Sequence, residues 1–317
     1  MLLFSEQRKN EAIQYRNNIW NNCEKIPKWV DIETVSLDQF FTRPEIAKYC
    51  HNSLLSFMDA DGANESSYKF IEPSVGVGAF YNLLPNNRRI GLDVMPLEQD
   101  VVQQDFLSWE MVPNGSRYAT IGNPPFGYRA WLALAFMNHA AKFSDYVGMI
   151  LPMSFQSDGK GSPKYRVKGL KLIHSEILPK DSFVDPHGKQ IKINALWQIW
   201  KRGVNEKIKE KQCSQWIDLF TVDERKERLC GQNRMHEADF FLQRTFYNEP
   251  PNLVEEFSDV KYVCGYGMVI KKDKEKITQL LSQTDWKKYS NLAVHNCRHI
   301  SMYHIQRALT DAGYVNV

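Results

Sequence analysis

The sequence lacks any apolar run approaching the roughly 18 residues that a membrane-spanning helix needs. It also lacks a secretory signal, because residues 1–4 are followed at once by polar and charged side chains and by no small-residue cleavage site. Both absences argue against a membrane or secreted protein. We therefore expect a soluble protein of the cytoplasm.

Paired cysteines are missing as well. The six cysteines are scattered and none forms a Cys-x-x-Cys pair, which argues against a disulfide scaffold and a zinc ribbon. The nearest metal-like grouping is His295, Cys297 and His299, but alternate residues face one way only on a strand, and no second ligand pair is evident. We predict free thiols and no metal site.

The composition is that of an ordinary globular protein, with 43% hydrophobic and 24% charged residues among 317. A net charge of +3 hides a strongly basic stretch: between Gly159 and Lys211, thirteen Lys and Arg face five Asp and Glu, a balance of 13 − 5 = +8. Such a stretch suits a phosphate backbone, because neutralised phosphates release counterions. A solvated lysine-rich surface is the alternative.

Short apolar runs alternate with helical stretches after residue 67. Runs at 68–71, 89–92, 118–121 and 146–151, with a further one at 191–200, predict strands separated by helices. This order indicates an α/β fold with a parallel sheet and ligands at the carboxyl ends of the strands. We predict a helical N-terminal leader at 1–35, a catalytic domain at 36–203 and a smaller C-terminal domain at 204–317.

A glycine turn follows the first of these strands. Gly76 and Gly78 allow a sharp turn and a close approach of backbone to ligand. Asp93 ends the next run at the offset where an acid binds ribose hydroxyls, and Asp105 with Phe106 could bind and stack on an adenine ring. Three ordinary strand ends with capping acids remain the alternative.

Phosphate-binding signals are absent around this turn. No Gly-Lys-Ser or Gly-Lys-Thr loop occurs, and the third glycine of the dinucleotide fingerprint is replaced by Ala79, followed by two aromatic residues. A bulky side chain at that point favours a ligand without a pyrophosphate.

The most specific signal is the loop Asn123-Pro124-Pro125-Phe126, directly after the fourth strand-like run. The prolines stiffen the backbone and leave carbonyls free to accept. The Asn123 Oδ1 and the Pro124 carbonyl could hold both hydrogens of an exocyclic base amine, while Phe126 stacks on a base extruded from the duplex. A structural Pro-Pro turn is the alternative.

These motifs, in this order, resemble the N6-adenine DNA methyltransferases of the Rossmann-like class I fold, gamma group. The resemblance spans residues 36–203 and implies a doubly covered sheet, S-adenosylmethionine as methyl donor, and no metal. It implies cofactor-binding roles for Thr42, Pro44, Glu72, Ser74, Gly76, Gly78, Asp93, Asp105 and Phe106, and catalytic roles for Asn123, Pro124, Pro125 and Phe126.

The resemblance also assigns the second side of the base pocket and the partners. Phe183 resembles the aromatic residue that sandwiches the flipped base against Phe126, although a Phe before a strand is more often part of a core. By position, residues 204–317 would be the target recognition domain. Double-stranded DNA, a cognate restriction endonuclease and a prokaryotic or phage setting follow from this family.

Rival functions share the tetrapeptide. It occurs in RNA methyltransferases acting on adenine N6 or guanine N2, and a Tyr-ended version occurs in enzymes that methylate glutamine side chains. The Phe-x-Thr-x-Pro element at residues 40–44, Phe183 and the basic C-terminal part favour DNA. A non-catalytic subunit descended from a methyltransferase is a further alternative, against which the intact cofactor positions argue.

Overall fold

The structure, a computed structural model, describes residues 4–112, 114–158, 161–205, 212–293 and 296–316. The predicted basic stretch lies partly outside the described residues, and His295 lies wholly outside them. The chain divides into two compact units, Met1–Phe155 with Pro163–Glu206, and Gln156–Ser162 with Lys207–Val317. The predicted leader thus shares a unit with the sheet, and a segment of the predicted catalytic domain belongs to the second unit.

The first unit contains three α-helices and ten strands in its described part. In chain order these are α1 (Glu6–Trp20), β1 (Phe41–Thr42), α2 (Pro44–Ala60), β2 (Tyr68–Glu72), β3 (Arg89–Asp93), β4 (Val102–Gln103), β5 (Arg117–Gly122), α3 (Trp131–Ala140), β6 (Ser144–Pro152), β7 (Leu170–Ile177), β8 (Phe183–Val184), β9 (Gln190–Ile191) and β10 (Ala195–Arg202).

Seven of these strands form one central sheet in the order β4-β3-β2-β5-β6-β10-β7. The first five strands in this order run parallel, whereas β10 is antiparallel to both of its neighbours. The strand order reverses beside β2, so β2, β3, β4 and β5 end at one edge of the sheet. The predicted α/β class with a Rossmann-like sheet is confirmed.

Packing around β6 explains why the centre of the sheet is so apolar. Seven consecutive residues, from Tyr146 to Pro152, are buried, as a strand covered on both faces requires. Helices α2 and α3 both pack against this strand. Gly148 leaves room for Trp197 of β10, since a Cβ at Gly148 would lie 2.6 Å from the Trp197 Cη2 atom.

Two longer segments differ from the sequence prediction, which also did not include the two-residue strands β1, β4 and β8. The predicted strand at 191–200 is split, because Gln190–Ile191 pairs in a small antiparallel sheet with β8 and β1, and only Ala195–Arg202 joins the central sheet. Strand β7 was not predicted. It is an edge strand whose residues are mostly exposed or half-buried, so its sequence carries charged residues in place of an apolar run.

The second unit is an antiparallel α+β structure in its described part. It contains β11 (Ile217–Asp223), β12 (Phe240–Gln243), β13 (Thr245–Phe246), β14 (Leu253–Val254), β15 (Cys264–Ile270), α4 (Lys274–Gln283), β16 (Asn291–Leu292), β17 (Arg298–His299) and α5 (Met302–Asp311). The strand orders are β11-β15-β12-β14 and β13-β17-β16. Trp286 and Phe246 lie in its core. No described helix of either unit has the length and apolarity that crossing a bilayer demands.

Candidate functional site

A cleft lies at the carboxyl ends of the parallel strands of the first unit. Strand β2 ends in Glu72, β3 ends in Asp93, and β5 leads directly into Asn123. The topology therefore brings together side chains that are far apart in the sequence. The predicted site residues that line the cleft are Thr42, Glu72, Ser74, Gly76, Asp93, Asp105, Phe106, Asn123 and Pro125.

The other predicted site residues do not line the cleft in the part of the chain that the structure describes. Pro44 is the first residue of α2, where its missing N–H costs no helical hydrogen bond. Gly78 turns the chain with φ +78°, and a Cβ there would lie 2.7 Å from the Asn82 Nδ2 atom. Pro124 is buried and Phe126 is half-buried.

Phe183 lies beside the cleft. It is 1% exposed and pairs with Thr42 across β8 and β1. Stacking on a base would require a part of this ring to become accessible. Its role stays a prediction.

The Asp93 side chain binds the main chain of the glycine turn. The Asp93 carboxylate accepts hydrogen bonds from the Gly76 N–H and the Met95 N–H, both at 2.8 Å. Gly76 has φ +54°, and a Cβ there would lie 3.1 Å from the Phe41 ring. Burial raises the pKa of Asp93, and the N–H donors of Gly76 and Met95 oppose this shift. The acid thus anchors the loop through main-chain N–H groups.

Glu72 is, with Asp105, one of two cleft acids that are only 2% exposed. Burial, and then the charge of Asp93, raise the pKa of Glu72 well above its ordinary value. Within the part of the chain that the structure describes, its Oε2 has no hydrogen-bond partner. Unpaired buried acceptors are costly, so Glu72 and Asp93 suit a ligand that brings positive charge or hydrogen-bond donors.

Two hydrogen bonds hold Asn123, and a third holds the loop that follows it. Its Nδ2 donates to the Phe40 carbonyl at 2.9 Å, and its own carbonyl accepts from the Ser74 hydroxyl at 3.0 Å. Further along the loop, the Gly127 N–H donates to the Asp38 carboxylate at 2.8 Å. The Asn123 Oδ1 is buried and has no partner among the described residues. The side-chain amide is therefore fixed by its nitrogen, which leaves its oxygen available as an acceptor.

Asp105 and Phe106 lie in different surroundings although they are adjacent. The Asp105 Oδ2 accepts from the Trp20 indole at 3.0 Å, and Oδ1 accepts from the Ser108 N–H at 3.1 Å. Burial raises the pKa of Asp105, and the hydrogen bond from Trp20 opposes this shift. The Phe106 ring packs in an aromatic cluster with Trp109, Phe136, His139 and Phe143.

Several cleft residues were not predicted from the sequence, and three of them carry polar or aromatic groups that bear on the site. Arg16 and Trp20 come from α1, and Asp38 comes from the segment that precedes β1. Asp38 could have been noticed because it lies close to the Phe-x-Thr-x-Pro element. Nothing in the spacing of Arg16 and Trp20 predicts contact with a loop about 85 residues further along the chain.

No metal-like cluster of three or more His, Cys, Asp or Glu occurs within the described ranges. Cys297 and His299 are in contact, with 3.6 Å between Sγ and Nε2, but the third residue of that grouping lies outside the described residues.

The aromatic and basic residues of the second unit differ in exposure and in ion pairing. Tyr247 and Tyr262 are both more than half exposed, with ring centroids 6.3 Å apart. By contrast, Arg234 forms ion pairs with Asp218 and Glu237, and Tyr266 is buried.

Comparisons with known proteins return structures only. No protein-family profile matches the chain, and no curated protein matches its sequence. A protein assigned as an RNA methyltransferase from Pyrococcus horikoshii is 18% identical, over 63% of this chain and 100% of its own, with a TM-score of 0.38. The magnesium protoporphyrin IX methyltransferase of Synechocystis, with S-adenosylmethionine bound, is 13% identical, over 62% of this chain and 95% of its own, with a TM-score of 0.34.

A third similar structure comes from Vibrio vulnificus and is assigned as the modification subunit of a type I restriction enzyme. It is 12% identical, over 68% of this chain and 52% of its own, with a TM-score of 0.37.

Proposed function

We propose that this chain transfers the methyl group of S-adenosylmethionine to an exocyclic amino nitrogen of a nucleic-acid base, namely N6 of adenine in DNA. The observation that carries the proposal is the Asn123 side chain. Its amide nitrogen is anchored on the Phe40 carbonyl, while its Oδ1 is a buried acceptor without a partner in the described structure. An acceptor held in this way suits a substrate that brings an N–H.

The acidic groups of the cleft support the choice of methyl donor. Glu72, Asp93 and Asp105 place three acids around it, and the guanidinium of Arg16 is directed to the main-chain carbonyls of Val35 and Ser36. Such a site disfavours phosphates and suits a ligand with a sulfonium, an ammonium and ribose hydroxyls. When bound, S-adenosylmethionine supplies an electrophilic methyl group on its sulfonium sulfur.

The catalytic loop would act by orientation and not by a tuned base. An exocyclic amine is a poor nucleophile because its lone pair is delocalised into the ring. The Asn123 Oδ1 and the Pro124 carbonyl would each accept one amino hydrogen, which turns the lone pair toward the methyl donor. Phe126 would stack on the extruded base, with Phe183 as its counterpart, and the amine proton would leave to water after transfer.

DNA as the substrate is supported by charge and by position in the chain. The predicted basic stretch runs in the sequence up to the main segment of the second unit, and the exposed Tyr247 and Tyr262 are suited to contacts with bases. We propose that the second unit is the target recognition domain, with double-stranded DNA as its ligand and a cognate restriction endonuclease as a functional partner.

The test uses the full chain, S-adenosylmethionine labelled on the methyl group, and three acceptors: duplex DNA, structured RNA and a protein extract. The labelled product is digested to its components and the modified one is identified. We expect N6-methyldeoxyadenosine, lost in Asn123→Ala and retained in the matched control Asn87→Ala, whose side chain is exposed.

The other outcomes each contradict a part of the proposal. Label in RNA as N6-methyladenosine or N2-methylguanosine would move the substrate to RNA. Binding of the methyl donor without transfer to any acceptor would indicate a non-catalytic subunit. Failure to bind the methyl donor would overturn the proposal as a whole.

A further inference from the structure

The leader helix α1 contributes directly to the cleft. It begins at Glu6, after the Ser5 side chain caps its N-terminus, and ends at Trp20. Because α1 carries few apolar residues, polar and aromatic contacts hold it against the rest of the first unit. Two of its buried side chains, Arg16 and Trp20, line the cleft. The helix is therefore part of the wall of the site.

Trp20 is fixed in orientation by three contacts. Its indole N–H donates to the Asp105 Oδ2 at 3.0 Å. Its ring meets Trp131 of α3 edge-on at 5.6 Å between centroids, and the Arg16 guanidinium lies 4.4 Å from the ring centroid. With 3% of its surface exposed, Trp20 is pre-organised before any ligand arrives.

Phe106, the aromatic residue that the sequence pattern favours for stacking on adenine, is already surrounded. Trp109, Phe136, His139 and Phe143 lie around its ring, with centroids 4.8 to 6.4 Å away. Phe106 and Trp20 are both buried, at 1% and 3% exposure, so neither ring presents an open face to a ligand. Trp20 differs in that its indole N–H contacts the Asp105 carboxylate directly.

We infer that Trp20 borders the adenosyl end of the cleft, and that its indole N–H positions the Asp105 carboxylate to accept the adenine amino group of the methyl donor. This inference rests on the proposed function and deepens it. Asp105 accepts from the Trp20 indole on Oδ2 and from the Ser108 N–H on Oδ1, and a carboxylate offers roughly four acceptor positions in all. The leader helix thereby becomes a determinant of cofactor selectivity.

The experiment measures binding of S-adenosylhomocysteine to the full chain by calorimetry, and separately binding of S-inosylhomocysteine, which has no exocyclic amino group on its base. We expect the wild type to prefer S-adenosylhomocysteine by about tenfold, as for one hydrogen bond to a charged group. Trp20→Phe should keep the ring and lose most of this preference. Trp20→Leu should also weaken S-adenosylhomocysteine binding by about tenfold.

The matched control is Trp29→Phe, since Trp29 lies on the same N-terminal segment but is 60% exposed. It should leave both affinities unchanged, and circular dichroism checks that every variant is folded. A purely structural role for Trp20 would lower both affinities equally and leave their ratio intact, which would overturn the inference.

Two further outcomes separate this inference from the function it rests on. Unchanged binding in both Trp20 variants would overturn the inference while leaving methyl transfer standing. Absence of S-adenosylhomocysteine binding to the wild-type chain would overturn both.

Discussion

Replacement of Asn123 by Ala should slow transfer strongly without destabilising the protein, and this separates a catalytic residue from a structural one. The structure contains two opposing contributions to stability at this position. The hydrogen bond from Nδ2 to the Phe40 carbonyl contributes about 1 kcal/mol. The buried and unpaired Oδ1 costs about 1 to 3 kcal/mol, because it has lost water and gained no partner among the described residues.

Asn123→Ala removes both contributions together. The free energy of unfolding should therefore stay within about 1 kcal/mol of the wild-type value or rise by up to about 2 kcal/mol. The rate of methyl transfer should fall by about 100- to 1000-fold, as when one preorganised hydrogen-bonding group is removed from an active site. Affinity for S-adenosylhomocysteine should change little, because the amide is assigned to the acceptor amine.

The assays are urea titrations followed by circular dichroism, single-turnover transfer to duplex DNA, and calorimetry with S-adenosylhomocysteine. Ser74→Ala is the informative companion, because it removes the hydrogen bond to the Asn123 carbonyl and relieves no unpaired atom. It should destabilise the protein by about 1 kcal/mol. A loss of more than about 2 kcal/mol in Asn123→Ala, or transfer within about tenfold of wild type, would refute the reasoning.

Three further perturbations test the surroundings of the site and the two units. Burial raises the pKa of Glu72, so the folded chain keeps a proton that the unfolded chain loses. Between the pKa of Glu72 in the unfolded chain and its pKa in the folded chain, the free energy of unfolding should fall by about 1.4 kcal/mol per pH unit as the pH rises. Glu72→Gln should remove this decline in urea titrations across that range, and an undiminished slope would count against a buried neutral acid. Gly148→Ala should lower the free energy of unfolding by about 1 to 3 kcal/mol, because its Cβ would lie 2.6 Å from the Trp197 Cη2 atom; a neutral result in thermal melts would show that Trp197 can move. In the second unit, Gly231→Ala should lower the free energy of unfolding by at least about 2 kcal/mol, because the residue has φ +82° and the added Cβ would overlap the Thr221 carbonyl. A variant as resistant to proteolysis as the wild type would contradict this.

Much of the fold was predictable because strands of a covered parallel sheet have a plain signature. The runs at 68–71, 89–92, 118–121 and 146–151 each correspond to a strand of the central sheet. Strands β2, β5 and β6 are apolar because nearly all of their residues are buried, so neighbours in the sequence report the burial directly, whereas β3 is partly half-buried. Edge strand β7 escaped for the opposite reason, since one-sided burial leaves room for charged residues.

Parts of the site were predictable for a related reason. Strand order and short motifs put Glu72, Asp93 and Asn123 at strand ends, and ends of neighbouring parallel strands converge in space. Their individual roles depend on contacts, however. The hydrogen bond from Asn123 to Phe40 spans 83 residues, and no local pattern encodes it.

The amino-acid sequence by itself thus determined the α/β class, the positions of four strands and the polar residues at their carboxyl ends, because each depends on periodicity and on turn chemistry within a short window. Only the tertiary structure decided that Trp20 of the leader helix binds Asp105, that Phe106 is enclosed by aromatic rings, and that the Asn123 Oδ1 is buried without a partner in the described chain. These depend on which surfaces meet after the sheet has formed. Burial and unpaired acceptors are properties of that packing, and they carry the proposed chemistry.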